Sequence, residues 1–185
     1  VGDGLGWIED ETIQQILKVV QRIETELELE PGAVVIYGGV VRKLLLGELV
    51  TTGDIDILFR RSDVLQQSGW RIAETSATLQ IAERIITLLS KYLNLNEKGE
   101  LREELFVDWL GYYYSESNQI FPNNEGHARF FGNIQESINT MWIRSDGTII
   151  DPYKKAISDI QSRIISFVGD NPVRYANHVT ILRAM

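Results

Sequence analysis

The sequence predicts an α+β domain, a mixed β-sheet flanked by helices. Three observations carry this. Apolar residues recur at helical spacing in two long segments, 8–29 and 76–95. Short apolar runs at 33–37, 54–59 and 105–110 are interspersed with them and read as strands. A run at 138–143, a Ser145-Asp146-Gly147 turn and a returning run at 148–150 read as a β-hairpin. A hairpin brings antiparallel pairing into the sheet, so the class is α+β.

Each element has a local reason. The first helix aligns Ile13, Ile16, Leu17, Val20, Ile23 and Leu27 on one face. Acids at 9–11 stand at its start, where the helix dipole favours negative charge, and Pro31-Gly32 ends it. Residues 33–37 form a continuous apolar run that suits a buried strand. Gly38-Gly39 then turns the chain into a short helix carrying Leu44, Leu45 and Leu46, closed by Gly47. Thr51-Thr52-Gly53 is a turn, and in the strand that follows acids alternate with apolar residues. The helix at 76–95 carries Leu79, Ile81, Ala82, Ile85, Leu88, Leu89 and Leu93 in one stripe. A turn at 97–99 leads to the strand 105–110. Residues 115–126, rich in Ser, Asn, Pro and Gly, read as a loop. After the hairpin come a helix at 154–163, a short apolar segment (IISFVG) and a last helix from about residue 173.

Composition narrows the function. The 185 residues, 44% of them apolar, suit one domain with a real core, or one domain plus the start of another. With no Cys there is neither a disulfide framework nor a thiolate metal site, and a cytoplasmic setting is the default. No apolar run approaches the ~20 residues of a membrane span, and no signal-peptide pattern opens the chain. The glycines of VGDGLG at the start follow no strand, so they carry no dinucleotide fingerprint. The net charge of −8 argues against a surface built to neutralise many phosphates. A nucleic-acid partner would therefore be gripped by regions outside this segment.

The stretch GGVVRKLLLGELVTTGDIDILFR, 38–60, holds most of the chemistry. Asp54 and Asp56 stand at i and i+2 of a strand, on one face. Two carboxylates side by side repel unless positive charge lies between them. Two Mg²⁺ ions holding a nucleoside triphosphate (NTP) would supply it, which points to metal-assisted nucleotidyl transfer. A turn acid followed by a solvated strand acid is the plainer alternative. Gly38 and Gly39, between strand and helix, would offer backbone N–H groups to phosphate oxygens; a tight turn needing positive φ explains them equally well. Arg42, one turn into the helix, could reach a phosphate or an active-site acid, or form a surface ion pair. Asp108 sits in an apolar strand among Phe106, Val107, Trp109 and Leu110, and needs a partner there, either a shared metal or a hydrogen bond. Trp109, Tyr112, Tyr113 and Tyr114 could stack on a base or simply pack. Arg60-Arg61 could touch phosphate or be solvated. His127 and His178, the two histidines, make a His-based zinc site implausible.

In order along the chain, these segments resemble the head domain of class II tRNA nucleotidyltransferases (CCA-adding enzymes) and bacterial poly(A) polymerases. That family shows a strand, GG-x-VRD-x-LLG, then a D-x-D strand; this chain has GGVVRKLLLG and DID. The family's TINALAYD-x-DG-x-x-IDP segment corresponds to SINTMWIRSDGTIIDP, and its EDPLRILRA-like helix to NHVTILRA. The resemblance spans roughly residues 15 to 185.

The resemblance implies a nucleotidyltransferase (polymerase beta-like) fold, with a head domain over 1–170 and the start of a helical neck at 171–185. It implies two Mg²⁺ ions held by Asp54, Asp56 and Asp108, an NTP substrate, and an RNA 3′ end as acceptor. Gly38, Gly39, Arg42, Asn133, Asn177, Thr180 and Arg183 fall at nucleotide-binding positions. Several depart from the family's residues. Lys43 replaces the Asp of VRD, the RRD segment aligns with Asn133-Ile134-Gln135, and the base-reading Asp and Arg align with Asn177 and Thr180. Asn can hydrogen-bond a base edge but brings no positive charge to phosphates. Two alternatives follow: a catalytically degenerate nucleotide-binding module, or nucleotidyl transfer to a protein or small molecule.

Overall fold

A computed structural model describes residues 4–60, 79–113, 115–116, 119–120 and 135–168. Helix α1 spans Glu11–Glu26, β1 Val34–Tyr37, α2 Gly39–Leu45, β2 Gly53–Arg60 and α3 Leu79–Tyr92. Strands β3 (Glu100–Arg102) and β4 (Leu105–Tyr113) follow, then the short pair β5 (Ser115–Glu116) and β6 (Gln119–Ile120). The remainder holds β7 (Gln135–Glu136), a 3₁₀ turn Ser137–Asn139, β8 (Trp142–Ile143), β9 (Ile149–Ile150), α4 (Ala156–Ser162) and β10 (Phe167–Val168).

Six strands form one sheet in the order β3-β4-β2-β1-β8-β9. β2 runs parallel to β4, and every other neighbouring pair is antiparallel. The sheet is mixed, as α+β requires.

Period-two alternation divides its two faces. Val34 and Ile36 of β1, Ile55, Ile57 and Phe59 of β2, Leu105 and Val107 of β4 and Ile143 of β8 join the main core. There they meet Ile13, Ile16, Leu17, Val20 and Ile23 of α1, Val40, Val41 and Leu44 of α2, and Ala82, Ile85 and Leu89 of α3. The intervening residues Val35, Tyr37, Leu58 and Trp142 form a second buried cluster on the opposite face. Asp54 and Asp56 share the parity of Leu58, so the acids project from the face turned away from α1, α2 and α3.

Several boundaries differ from the sequence-based expectation, each for a local reason. α1 begins at 11 because Asp10 caps it: its Oδ1 accepts from Ile13 N at 3.1 Å and its Oδ2 from Val50 N at 2.7 Å. The run 138–143 is a strand only at 142–143. Before it, the Ser137 hydroxyl donates to Asp159 on α4 and the Thr140 hydroxyl to Ser137 O at 2.6 Å, and this one distant and one local bond hold a 3₁₀ turn instead of a ladder. The Ser137 hydrogen bond also keeps Asp159 below the usual carboxylate range. α4 begins at 156 rather than 154, since Lys154 adopts a left-handed φ of 54° and Asp151 accepts from the backbone N–H of 155–157. β3 has no strand signal of its own and exists by pairing with β4. Within the stretch read as a loop from 115, β5 and β6 pair with each other. The IISFVG segment contributes β10, which pairs with β7. The helix expected from about residue 173 lies outside the described residues. Among those described, no helix is long and apolar enough to cross a membrane.

Candidate active site

Three neighbouring interior strands of the sheet, β1, β2 and β4, meet around Asp56. β1 ends at Tyr37, paired with Asp56 across the antiparallel β1–β2 ladder. On the other side of β2, parallel β4 places Asp108 directly opposite Asp56. Adjacent strands lie about 4.8 Å apart, and Asp54 stands two residues from Asp56 on the same face. In strand register, Asp54, Asp56 and Asp108 are neighbours.

Their charges interact. Asp56 is partly buried, while Asp54 and Asp108 are exposed. Burial, then the negative charges of Asp108 and Asp54, push the Asp56 carboxyl from 3.8 up to about 7. Both causes disfavour the charged form. Among the described residues, however, no three His, Cys, Asp or Glu side chains are drawn together into a group that could hold a metal ion as they stand. The strands juxtapose the acids, and the carboxylates have not closed into a cage. The donor set nonetheless fits Mg²⁺, which takes oxygen ligands and retains several waters, so it needs no complete protein shell. A cation shared by these acids would also relieve the repulsion that Asp56 feels.

The diglycine turn abuts the acids. Gly38 has φ 92° and ψ −143°, a conformation that residues with a side chain rarely adopt. A Cβ placed on it would lie 3.7 Å from Asp56 Oδ2 and 3.8 Å from Asn139 O. The Gly38 N–H donates to Met141 O at 2.9 Å. It is thus committed within the fold, which narrows the expected phosphate cradle to the Gly39 side of the turn.

Arg42 lies beside that turn. Its Nη1 donates to Asn139 Oδ1 at 2.8 Å, and Asn139 Nδ2 makes a long contact to Glu136 Oε2 at 3.5 Å. A Cβ on Gly39 would meet Asn139 Oδ1 at 3.7 Å and Arg42 Nη2 at 3.8 Å. Sequence reasoning missed Asn139. It stands in the SINTMW segment matched to the family's TINALA, where the resemblance assigns it no role, and only the 3₁₀ turn brings it over α2, 97 residues away in the chain.

Other expected positions fall outside the described residues: Asn133, Asn177, Thr180 and Arg183 at the nucleotide, together with Tyr114, Arg61, His127 and His178. The side chains of Arg60, Trp109, Tyr112 and Tyr113 are likewise not described.

No family profile and no curated protein matches the chain. Solved structures do. The chain is similar to a CCA-adding enzyme in complex with CTP, at TM-score 0.53 and 21% identity over 88% of this chain and 34% of that one. It is similar to a CCA-adding enzyme with ATP at TM-score 0.53 and 19% identity, over 89% of this chain and 34% of that one. It is also similar to the Thermotoga maritima CCA-adding enzyme complexed with tRNA, at TM-score 0.51 and 20% identity over 95% and 35% of the two chains. The chain thus spans about a third of the length of these structures. The likeness is one of fold: the mixed six-stranded sheet flanked by helices is the nucleotidyltransferase fold of CCA-adding enzyme head domains.

Proposed function

We propose that the chain is the catalytic domain of a Mg²⁺-dependent nucleotidyltransferase, which transfers a nucleoside monophosphate from an NTP to an acceptor hydroxyl. The observation that carries this reading is the juxtaposition of Asp54, Asp56 and Asp108 on the adjacent strands β2 and β4, with Asp56 Oδ2 3.7 Å from the Cβ position of Gly38. An acid trio beside a close-approach glycine provides for both metal-bound phosphate and the backbone that receives it.

In this reading Asp54 and Asp56 would hold the Mg²⁺ ions, with Asp108 helping to hold the one that activates the acceptor hydroxyl. Bound there, Mg²⁺ neutralises phosphate charge and raises the acidity of the attacking hydroxyl. Gly39 contributes its N–H to the β- and γ-phosphates, and Arg42 lends positive charge from α2. The acceptor oxygen forms a bond to the α-phosphorus, the bond from that phosphorus to the α–β bridging oxygen breaks, and pyrophosphate leaves. Asp108, exposed to solvent, is placed to take the hydroxyl proton. Asn133, Asn177, Thr180 and Arg183 stand as the base- and triphosphate-facing residues.

The acceptor proposed first is an RNA 3′ end, since similar structures include a CCA-adding enzyme complexed with tRNA. With a net charge of −8, this segment binds RNA through regions beyond itself. The second reading, a degenerate nucleotide-binding module, is favoured by Lys43 and by Asn133 and Ile134, uncharged residues where the family's two arginines would hold phosphate.

Incubation with Mg²⁺, radiolabelled NTPs and total RNA separates the two. Label incorporated by the wild type and lost in Asp54→Ala supports transfer. Nucleotide binding without incorporation supports the module. A labelled protein or small molecule would redirect the acceptor.

A further inference from the structure

Among the described residues, Arg42 presents a cation with no anion. Among the described residues it pairs with no carboxylate; its hydrogen bond goes to the neutral amide oxygen of Asn139 at 2.8 Å. A long, flexible guanidinium is held in one place while its charge stays available, since an amide oxygen fixes Arg without neutralising it. The place is defined: Arg42 Nη2 lies 3.8 Å from the Cβ position of Gly39, on the side of the turn whose N–H is not committed to Met141. Asn139 is itself fixed, being the last residue of a 3₁₀ turn anchored by the Ser137 and Thr140 hydroxyls.

We propose that Asn139 is a positioning residue, which holds the unneutralised guanidinium of Arg42 beside Gly39 to receive the triphosphate of an incoming nucleotide. The assignment rests on the nucleotidyltransferase reading of the site and adds a residue to it. Its chemistry is specific to the amide. Aspartate at 139 would keep an acceptor for Arg42 but cancel its charge, whereas alanine would keep the charge and release it.

The test is titration of the 185-residue chain with inorganic tripolyphosphate in Mg²⁺, a probe with neither base nor sugar. Arg42→Ala and Asn139→Ala each weaken binding about tenfold, within the range for one charged hydrogen bond. The double variant is no weaker than Arg42→Ala alone, because Asn139 acts through Arg42. Asn139→Asp also weakens binding, an effect that a purely architectural asparagine would not produce. Glu24→Ala, which weakens the entry to β1 at the end opposite Gly38, lowers the melting temperature and leaves tripolyphosphate affinity unchanged. Wild-type affinity in Asn139→Ala or Asn139→Asp overturns the assignment. So do full additivity with Arg42→Ala and an equal loss in Glu24→Ala. If the wild type binds tripolyphosphate and only these patterns fail, the catalytic reading stands without Asn139. A wild type that binds none overturns both.

Discussion

Asp56 of β2 lies directly opposite Asp108 of β4 in the parallel ladder, and this single register places two acidic residues side by side on adjacent strands. With Asp54 two residues away on the same face, the arrangement concentrates negative charge where no described lysine or arginine offsets it by an ion pair. Burial and the two neighbours raise the Asp56 carboxyl to about 7.

That shift has a signed consequence for stability. The folded chain binds the Asp56 proton more tightly than the unfolded chain does. The favourable contribution is therefore complete below about pH 4 and lost as pH rises through about 7. Above pH 7, without divalent cation, Asp56→Asn removes a buried like charge and raises the melting temperature. A shift of about three units at about 1.4 kcal/mol each sets the ceiling; solvent screening at a partly exposed carboxylate reduces it to about 1–2 kcal/mol. Thermal denaturation of both proteins in chelator at pH 5 and pH 8 checks this. The gap between them widens at pH 8 and does not reverse.

Gly38→Ala separates strain from crowding. Its Cβ meets Asp56 Oδ2 and Asn139 O at ordinary contact distance, 3.7 and 3.8 Å. The cost therefore comes from holding φ 92° with a side chain, about 1–3 kcal/mol. Relief of that strain swings the turn away from Asp56. The variant melts lower and binds MgATP more weakly, as calorimetry on a sample shown to be folded would register.

Two buried carboxylates serve the scaffold. Glu24 accepts from Gly32 N at 2.7 Å and Val34 N at 3.2 Å, tying the end of α1 to the entry of β1. Burial raises its carboxyl above the usual range although these bonds oppose the shift. Glu24→Ala leaves two backbone donors unpaired and costs about 2–4 kcal/mol. Glu24→Gln retains an acceptor and costs less. Asp10→Ala removes both the α1 cap and the bond to Val50 N, at about 2–3 kcal/mol. Urea denaturation ranks the three.

Much of the fold is legible in the chain because it is local. The alternation of Ile55, Ile57 and Phe59 with Asp54, Asp56 and Leu58 displays both faces of β2, and the structure sorts them that way. The turn at 38–39 and the hairpin at 145–147 declare themselves by glycine. What the sequence hides is set by distant partners. β3 is a strand only because β4 pairs with it, and Asp10 is recognisable as a cap only through Ile13 N and Val50 N. Asn139 belongs to the site only because the Ser137–Asp159 bond curls the chain before β8. Gly38 was expected to offer its N–H to phosphate, but Met141 O, a hundred residues on, takes it.

The central claim, that Asp54, Asp56 and Asp108 jointly hold divalent cations beside the diglycine turn, is most directly tested by titrating Mn²⁺ into the protein with a non-hydrolysable ATP analogue and following free Mn²⁺ by electron paramagnetic resonance. The wild type sequesters Mn²⁺ only when the analogue is present, and Asp56→Asn and Asp108→Asn each weaken that binding at least tenfold. Equal sequestration by the wild type and both variants would contradict the account.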